Sequence, residues 1–193
     1  MAQAPFRHKN IRLPAENYRG RKLYFLTLCF YQRRPYSSNQ RLAKWLIFSL
    51  RKHSANCEFA IDGYCLMPDH LHALAEGLSE RSNFIKFIES LKQETAIVFA
   101  KREPRRLWQR KYYDRILRRE DAVEQVAWYI WMNPVRRGLC ETPSGYPFLG
   151  SFTEIGNKTL ISGSHEPWTP PWKASRRRTA ETKPAALKAA ALH

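Results

Sequence analysis

The stretch Lys22-Leu-Tyr-Phe-Leu-Thr-Leu-Cys-Phe30 is aromatic and apolar almost throughout and reads as a central strand. The segments downstream of it narrow the architecture. The turn-like Arg33-Arg-Pro-Tyr-Ser-Ser-Asn39 leads into residues 39–53, where Leu42, Trp45, Leu46 and Leu50 recur at helical spacing. Residues 59–66 and 70–76 read as two more strands, separated by the short turn Met67-Pro68-Asp69. Residues 83–101 place Phe84, Phe87, Ile88, Leu91 and Val98 on one face of a second helix, closed by Pro104. Residues 108–117, with β-favouring Tyr112, Tyr113 and Ile116, read as a fourth strand. Strand, helix, strand, strand, helix, strand is the order of a ferredoxin-like α+β sandwich, a four-stranded antiparallel sheet with its helices on one face. An additional helix over about 120–132 has to lie against that sheet. It is expected to end near Asn133, because the residue ahead of Pro134 disfavours helical backbone.

Charge separates this fold from an ordinary globular domain. The net charge is +16, and three segments account for all of it: residues 1–22 carry +5, residues 101–120 carry +6 and residues 173–193 carry +5. Clustering of this kind creates a local positive field suited to a polyphosphate partner. A hydrophobic fraction of 44% with 13% aromatics excludes wholesale disorder. No run of 18 apolar residues predicts a membrane span, and the basic, polar N-terminus does not read as a secretory signal. Cys29, Cys57, Cys65 and Cys140 form no CxxC pair and read as free buried thiols, so the expected compartment is cytoplasmic, at the nucleoid. The expected organisation is a basic arm over 1–21, one domain over 22–152, and a basic, largely disordered tail over 153–193.

Two places carry chemistry. In a strand, residues i and i+2 point to one face, so His70 and His72 of His70-Leu71-His72 project side by side, and two neutral imidazoles are a ready chelate for a divalent metal. Nothing nearby completes a closed tetrahedral zinc set. In Val123-Glu-Gln-Val-Ala-Trp-Tyr-Ile-Trp-Met-Asn-Pro134, Tyr129 and Asn133 stand i, i+4 and share a helix face. If that face lies over the sheet, a phenol and an amide oxygen approach the histidine pair.

Arg12-Leu-Pro, Tyr24-Phe-Leu-Thr, Met67-Pro-Asp-His-Leu-His72, Trp108-Gln-Arg-Lys-Tyr-Tyr-Asp114 and Tyr129-Ile-Trp-Met-Asn-Pro-Val135 occur in this order. The succession resembles the REP-associated tyrosine transposases, a branch of the single-tyrosine HUH transposases, over about residues 7–151. The resemblance implies His70 and His72 as metal ligands, Tyr129 as the nucleophile and Asn133 as a third ligand. It also implies a Mg²⁺ or Mn²⁺ cofactor, a 5′-phosphotyrosine intermediate, and a single-stranded DNA hairpin with a short extension as substrate. Such a site polarises the scissile phosphodiester and orients it for in-line attack. The phenol needs activation at neutral pH, and a basic neighbour such as Lys92 is one source. No GxxxxGK loop is present, in keeping with strand transfer that needs no nucleotide cofactor. Arg7, Lys9, Arg12, Arg19, Arg21, Lys92, Arg105, Arg106, Arg110, Lys111, Arg115 and Arg118 are the candidate phosphate contacts. Competing readings are a domesticated hairpin-binding protein without cleavage activity, and a metal-free RNA-binding domain. The sequence leaves open whether the active unit is a monomer or a homodimer.

Overall fold

The computed structural model describes residues 14–118 and 123–162, together with Trp168 and Pro170. β1 (Leu23–Cys29), α1 (Gln40–Asn56), β2 (Phe59–Met67), β3 (His70–Gly77), α2 (Phe84–Ala100) and β4 (Tyr113–Ile116) keep the expected order. α3 (Val123–Trp131), α4 (Asn133–Arg136), β5 (Leu149–Gly150) and α5 (Glu154–Ser162) come after them. The antiparallel sheet runs β4-β1-β3-β2-β5, which is the ferredoxin-like arrangement with one short edge strand added beside β2. α1 and α2 start alike: Asn39 and Asn83 each turn a side-chain oxygen onto the backbone N–H three residues on, at 3.1 and 3.0 Å.

Strand alternation divides the sheet into two apolar layers. Tyr24, Leu26, Leu28 and Phe30 of the β1 segment, with Leu71, Ala73 and Ala75 of β3, pack against α1 and α2. Phe25, Leu74, Cys65 and Met67 face the other way and pack against Val126, Ala127, Ile130 and Trp131 of α3. Burying Trp131 completely, with its indole N–H on the Gly150 carbonyl at 3.0 Å, ties α3 to the β5 edge. Gly63 is what lets α3 approach so closely, since a Cβ there would lie 3.1 Å from Ala127 Cβ and 3.3 Å from its Cα. Gly63→Val is expected to cost roughly 1–3 kcal/mol by overpacking, and to loosen α3 while α1 and α2 hold. Hydrogen exchange resolved by segment checks this; uniform loosening of both layers would contradict it.

Four expectations change. The fourth strand is shorter than residues 108–117: Trp108 makes only an isolated bridge to Phe30, Gln109 N donates to the Cys29 carbonyl at 2.9 Å, and the continuous ladder with β1 begins at Tyr113. Val98 turns to the surface and Phe99 takes the buried position. The four cysteines are free as expected, but only Cys65 is buried and the others are half-buried. The segment read as a disordered tail begins with a helix, α5, which packs on α3, β2 and β5. Its third residue is Gly156, where a Cβ would fall 2.2 Å from the Asp62 carbonyl oxygen, so glycine permits the docking that hydrophobic patterning did not announce. Residues 171–193 lie outside the described residues, as does the basic arm up to residue 13.

Asp62 stands where the β2–β3 register shifts, a bulge that re-aims one side chain. Thr153 Oγ1 donates to its Oδ1 at 3.1 Å, while Oδ2 is buried with no partner among the described residues. Burial pushes this carboxyl up to about 6, against the Thr153 bond and helped by Glu76 and Glu124. A folded-state value above the unfolded one means a contribution that is full below the unfolded value and lost as pH rises through about 6. The protein should therefore lose on the order of 2 kcal/mol between pH 4 and pH 7 from this group. Thermal melts of wild type and Asp62→Asn check it, the variant losing that part of the slope.

Candidate functional site

β3 enters the sheet at His70, directly after the Pro68-Asp69 turn, and its register with β1 sets Thr27 opposite His72 and Cys29 opposite His70. Both histidines therefore share the α3 face with Phe25 and Thr27. His70 Nε2 and His72 Nε2 are 2.9 Å apart, with the rings nearly perpendicular. His70 Nδ1 lies 2.5 Å from Asp69 Oδ1, and a carboxylate only accepts, so the proton sits on Nδ1 and Nε2 carries a lone pair. His72 Nδ1 lies 2.9 Å from Thr27 Oγ1, a hydroxyl able to donate or accept, which lets His72 take either tautomer without losing its partner. Burial holds the His70 imidazole below its ordinary value, against the pull of Asp69. Burial and then the neighbouring His70 hold His72 well below it. Both rings are thus neutral at pH 7, the form that binds a metal.

The fit to a divalent cation can be judged from these atoms. Two donors at about 2.1 Å from one ion and at right angles to each other stand about 3.0 Å apart, and the Nε2 atoms are 2.9 Å apart. Among the described residues no three His, Cys, Asp or Glu side chains gather as a metal set, so further donors would be amide, water or phosphate oxygens. An open site with two imidazoles is the kind that accepts a substrate oxygen.

Tyr129 rides on α3. Its ring lies 6.2 Å from that of Phe25, and the His72 ring lies 5.5 Å from Phe25 on the same sheet face, so one phenylalanine touches both. Trp168 closes on the phenol edge-on at 5.2 Å. Arg136 sets its guanidinium carbon 4.3 Å from the Tyr129 ring centre, a cation–π contact, and donates from Nη2 to the Tyr129 carbonyl at 2.6 Å. The positive charges of Arg136 and of Arg137, just after α4, further lower the His72 and His70 imidazoles respectively.

As expected, α3 ends close to Asn133, at Trp131, and the short α4 follows after Met132 alone. Met132 N closes on Trp128 O and Arg136 N on Met132 O, at 2.9 Å each. Pro134 has no N–H to offer the Ile130 carbonyl, and Asn133 Nδ2 supplies a donor there at 2.9 Å, with a second contact to Tyr129 O at 3.3 Å. Since both partners are carbonyls, the amide nitrogen faces the helix and Oδ1 faces away from it.

The structure brings His70, His72 and Tyr129 to one face and does not bring Lys92 there. Lys92 packs over Tyr112 on the α2 side, 5.4 Å from that ring centre, across the sheet from the phenol, so it does not activate Tyr129. Trp108 is likewise remote. It stacks on Phe30 and donates to Thr95 Oγ1 at 2.8 Å inside the α1–α2 layer. Arg105, Arg106 and Arg110 are exposed on that side too, around a cavity of about 320 Å³ shared with Lys92. Arg115 pairs with Phe25 in the ladder and so belongs to the α3 face. Arg19, Arg21, Lys111 and Arg118 are exposed. Arg7, Lys9 and Arg12 lie outside the described residues. Sequence reasoning missed Thr27, Arg33, Asp69 and Arg136. Thr27 and Asp69 sat inside the quoted motifs as unread neighbours, while nothing local marks Arg33, Arg136 or Trp168.

Comparison with known proteins identifies the scaffold. The sequence model of the family described as "Transposase IS200 like" matches residues 21–133, more than half the chain and all of His70, His72, Tyr129 and Asn133. This chain belongs to that family. A Haemophilus influenzae protein provisionally named as a REP-associated tyrosine transposase is 24% identical over 140 residues, spanning 65% of this chain and 77% of that one. A solved structure described as a REP-associated tyrosine transposase bound to a REP hairpin superposes with a TM-score of 0.64 at 17% identity, covering 84% of this chain and 92% of the other. The transposase fold and the family agree with the resemblance carried by the motifs. Among the described residues of this transposase, no helix is long and apolar enough to cross a membrane.

Proposed function

We propose that this transposase cleaves and rejoins single-stranded DNA beside a hairpin, with Tyr129 as nucleophile and a divalent metal held by His70, His72 and Asn133. The observation that carries the reading is the neutral His70–His72 pair and the Tyr129 phenol flanking one residue, Phe25, on one sheet face. Mg²⁺ or Mn²⁺ bound there would polarise the scissile phosphate and neutralise its charge. The chain's own residues do the rest. The Tyr129 oxygen attacks phosphorus, a Tyr129–phosphate bond forms at the 5′ side, and the P–O3′ bond breaks. The phenolic proton leaves, and the departing 3′ oxygen takes one up to become a free hydroxyl. Attack by another 3′ hydroxyl reverses the step and rejoins strands without a nucleotide cofactor. Phe25, Trp168 and Arg136 fix the ring's orientation before attack. Because Tyr129 and His72 flank Phe25 within one chain, a single protomer has the parts to act in cis.

The basic side chains would grip phosphate on both flanks of the strand, a sequence-independent and salt-sensitive attraction. The hairpin substrate rests on the relative and the solved neighbour, whose names specify REP elements. The test uses hairpin oligonucleotides labelled on either side of the junction, incubated with the full chain and Mn²⁺ or Mg²⁺. A denaturing gel should show a covalent protein adduct carrying only the label 3′ of the cut. Hairpin binding with no adduct in any metal would replace this reading with a hairpin binder that does not cleave.

A further inference from the structure

The turn that delivers His70 is clamped from outside the sheet. After β1 the chain passes through Gln32 and Arg33 with φ of 55° and 54°, two consecutive non-glycine residues in the left-handed region. Such backbone persists where surrounding contacts over-determine it, and it concentrates at functional sites. Here the result is visible: Arg33 Nη1 lies 3.1 Å from Asp69 Oδ2, while Asp69 Oδ1 holds His70 Nδ1 at 2.5 Å. The backbone around this chain of contacts is also fastened, with Phe30 N on the Asp69 carbonyl at 3.0 Å and Ser37 Oγ on the Met67 carbonyl at 2.7 Å. No step of the strand cleavage proposed for Tyr129 uses Arg33 or Asp69.

We propose that Arg33 and Asp69 are positioning residues that load the metal site, Asp69 fixing His70 in the tautomer whose Nε2 faces His72, and Arg33 fixing Asp69. A carboxylate on the far nitrogen of a metal-binding histidine orients the ring and raises its basicity. Without Asp69 the His70 proton can move to Nε2, which then faces the cation with N–H instead of a lone pair. Arg33 occupies the other carboxylate oxygen, so Asp69 cannot swing off the ring, and the left-handed backbone at Gln32 and Arg33 is what brings the guanidinium to that place. The inference rests on the metal reading of the site, and its test separates the two.

The first measurement needs no metal. Long-range ¹H–¹⁵N spectra of the full chain should show His70 protonated at Nδ1 in wild type and a mixture of tautomers in Asp69→Ala. The second is Mn²⁺ affinity, followed by electron paramagnetic resonance of free Mn²⁺. Loss of a partner of this kind weakens metal binding by about 10–100-fold, so Asp69→Ala should fall in that range. Asp69→Asn, which keeps an acceptor oxygen but loses the charge, should fall less, and Arg33→Lys should stay near wild type while Arg33→Gln does not. Should Asp69→Ala fold poorly, the Asp69→Asn and Arg33→Gln pair decides the matter on the same two readouts. Wild-type affinity within twofold in the Asp69 and Arg33→Gln variants, or an unchanged His70 tautomer, overturns the positioning role alone. Failure of wild type itself to bind Mn²⁺ overturns the metal reading and the loading role together.

Discussion

Tyr129→Phe should abolish covalent adduct formation, by more than about 10³-fold, while hairpin affinity stays within about twofold, a difference of roughly 0.4 kcal/mol. The substitution removes one oxygen and keeps the ring, so the contacts to Phe25, Trp168 and Arg136 persist. Cation–π attraction to phenylalanine is close to that of tyrosine, and the Arg136 bond goes to the backbone carbonyl, which the variant retains. Folding should therefore be unchanged, and any loss belongs to the nucleophile. Adduct formation is read on denaturing gels and binding by fluorescence anisotropy at fixed salt, since the phosphate term varies steeply with ionic strength. Residual adduct at a tenth of the wild-type level would show that another side chain attacks, and the exposed Tyr113, which pairs with Thr27 on the same face, would be the first to examine.

His72→Ala should be nearly as severe, with Mn²⁺ affinity and cleavage both falling by about 10²-fold or more. The variant loses a lone pair and also leaves Thr27 Oγ1 and His70 Nε2 without the partners they hold at 2.9 Å. Opening a hole in this half-buried place costs about 1–3 kcal/mol of stability through unmet polar groups, small enough for the chain to fold. DNA affinity measured without metal should hardly move, because the phosphate contacts proposed above lie on basic side chains elsewhere. Isothermal titration with Mn²⁺ and melting curves separate the two losses. A variant that binds Mn²⁺ like wild type would remove His72 from the ligand set.

How much of this was legible in the chain itself depends on how local each signal is. The β-type runs and the helical periodicities of residues 39–53 and 83–101 are short-range, and they led to the ferredoxin-like order directly. The His70–His72 juxtaposition comes from strand geometry alone. Pro134 marked the end of α3, but nothing local announced that a second helix follows at once, with the Asn133 amide donating to the Ile130 carbonyl that the proline leaves open. Lys92 was assigned by charge and nearness of type, and only the sheet, lying between it and Tyr129, decides otherwise. β5 and α5 went unread because their evidence is a glycine fitted against a distant carbonyl and an indole on a distant strand. Arg33 lies 36 residues from the atom it touches, with no periodicity to link them, while Arg136 stands seven residues after Tyr129, a helical spacing that the break between α3 and α4 obscures.

The alternating layers of the sheet also restrict the length of the chain near the site. His70 and His72 occupy the α3 face only because Pro68 and Asp69 alone separate β2 from β3, pairing Met67 with His70. The chemistry is written in the parity of the strand. One residue added to or removed from β3 ahead of His72 would exchange Leu71 for a histidine in the α3 layer, sending imidazoles into the α1–α2 layer. Two residues would conserve the face and merely shift the ladder. In this transposase, insertions near the site are thus counted modulo two, and the only odd step among the described strands that flank the histidines is the one β2 has already absorbed at Asp62.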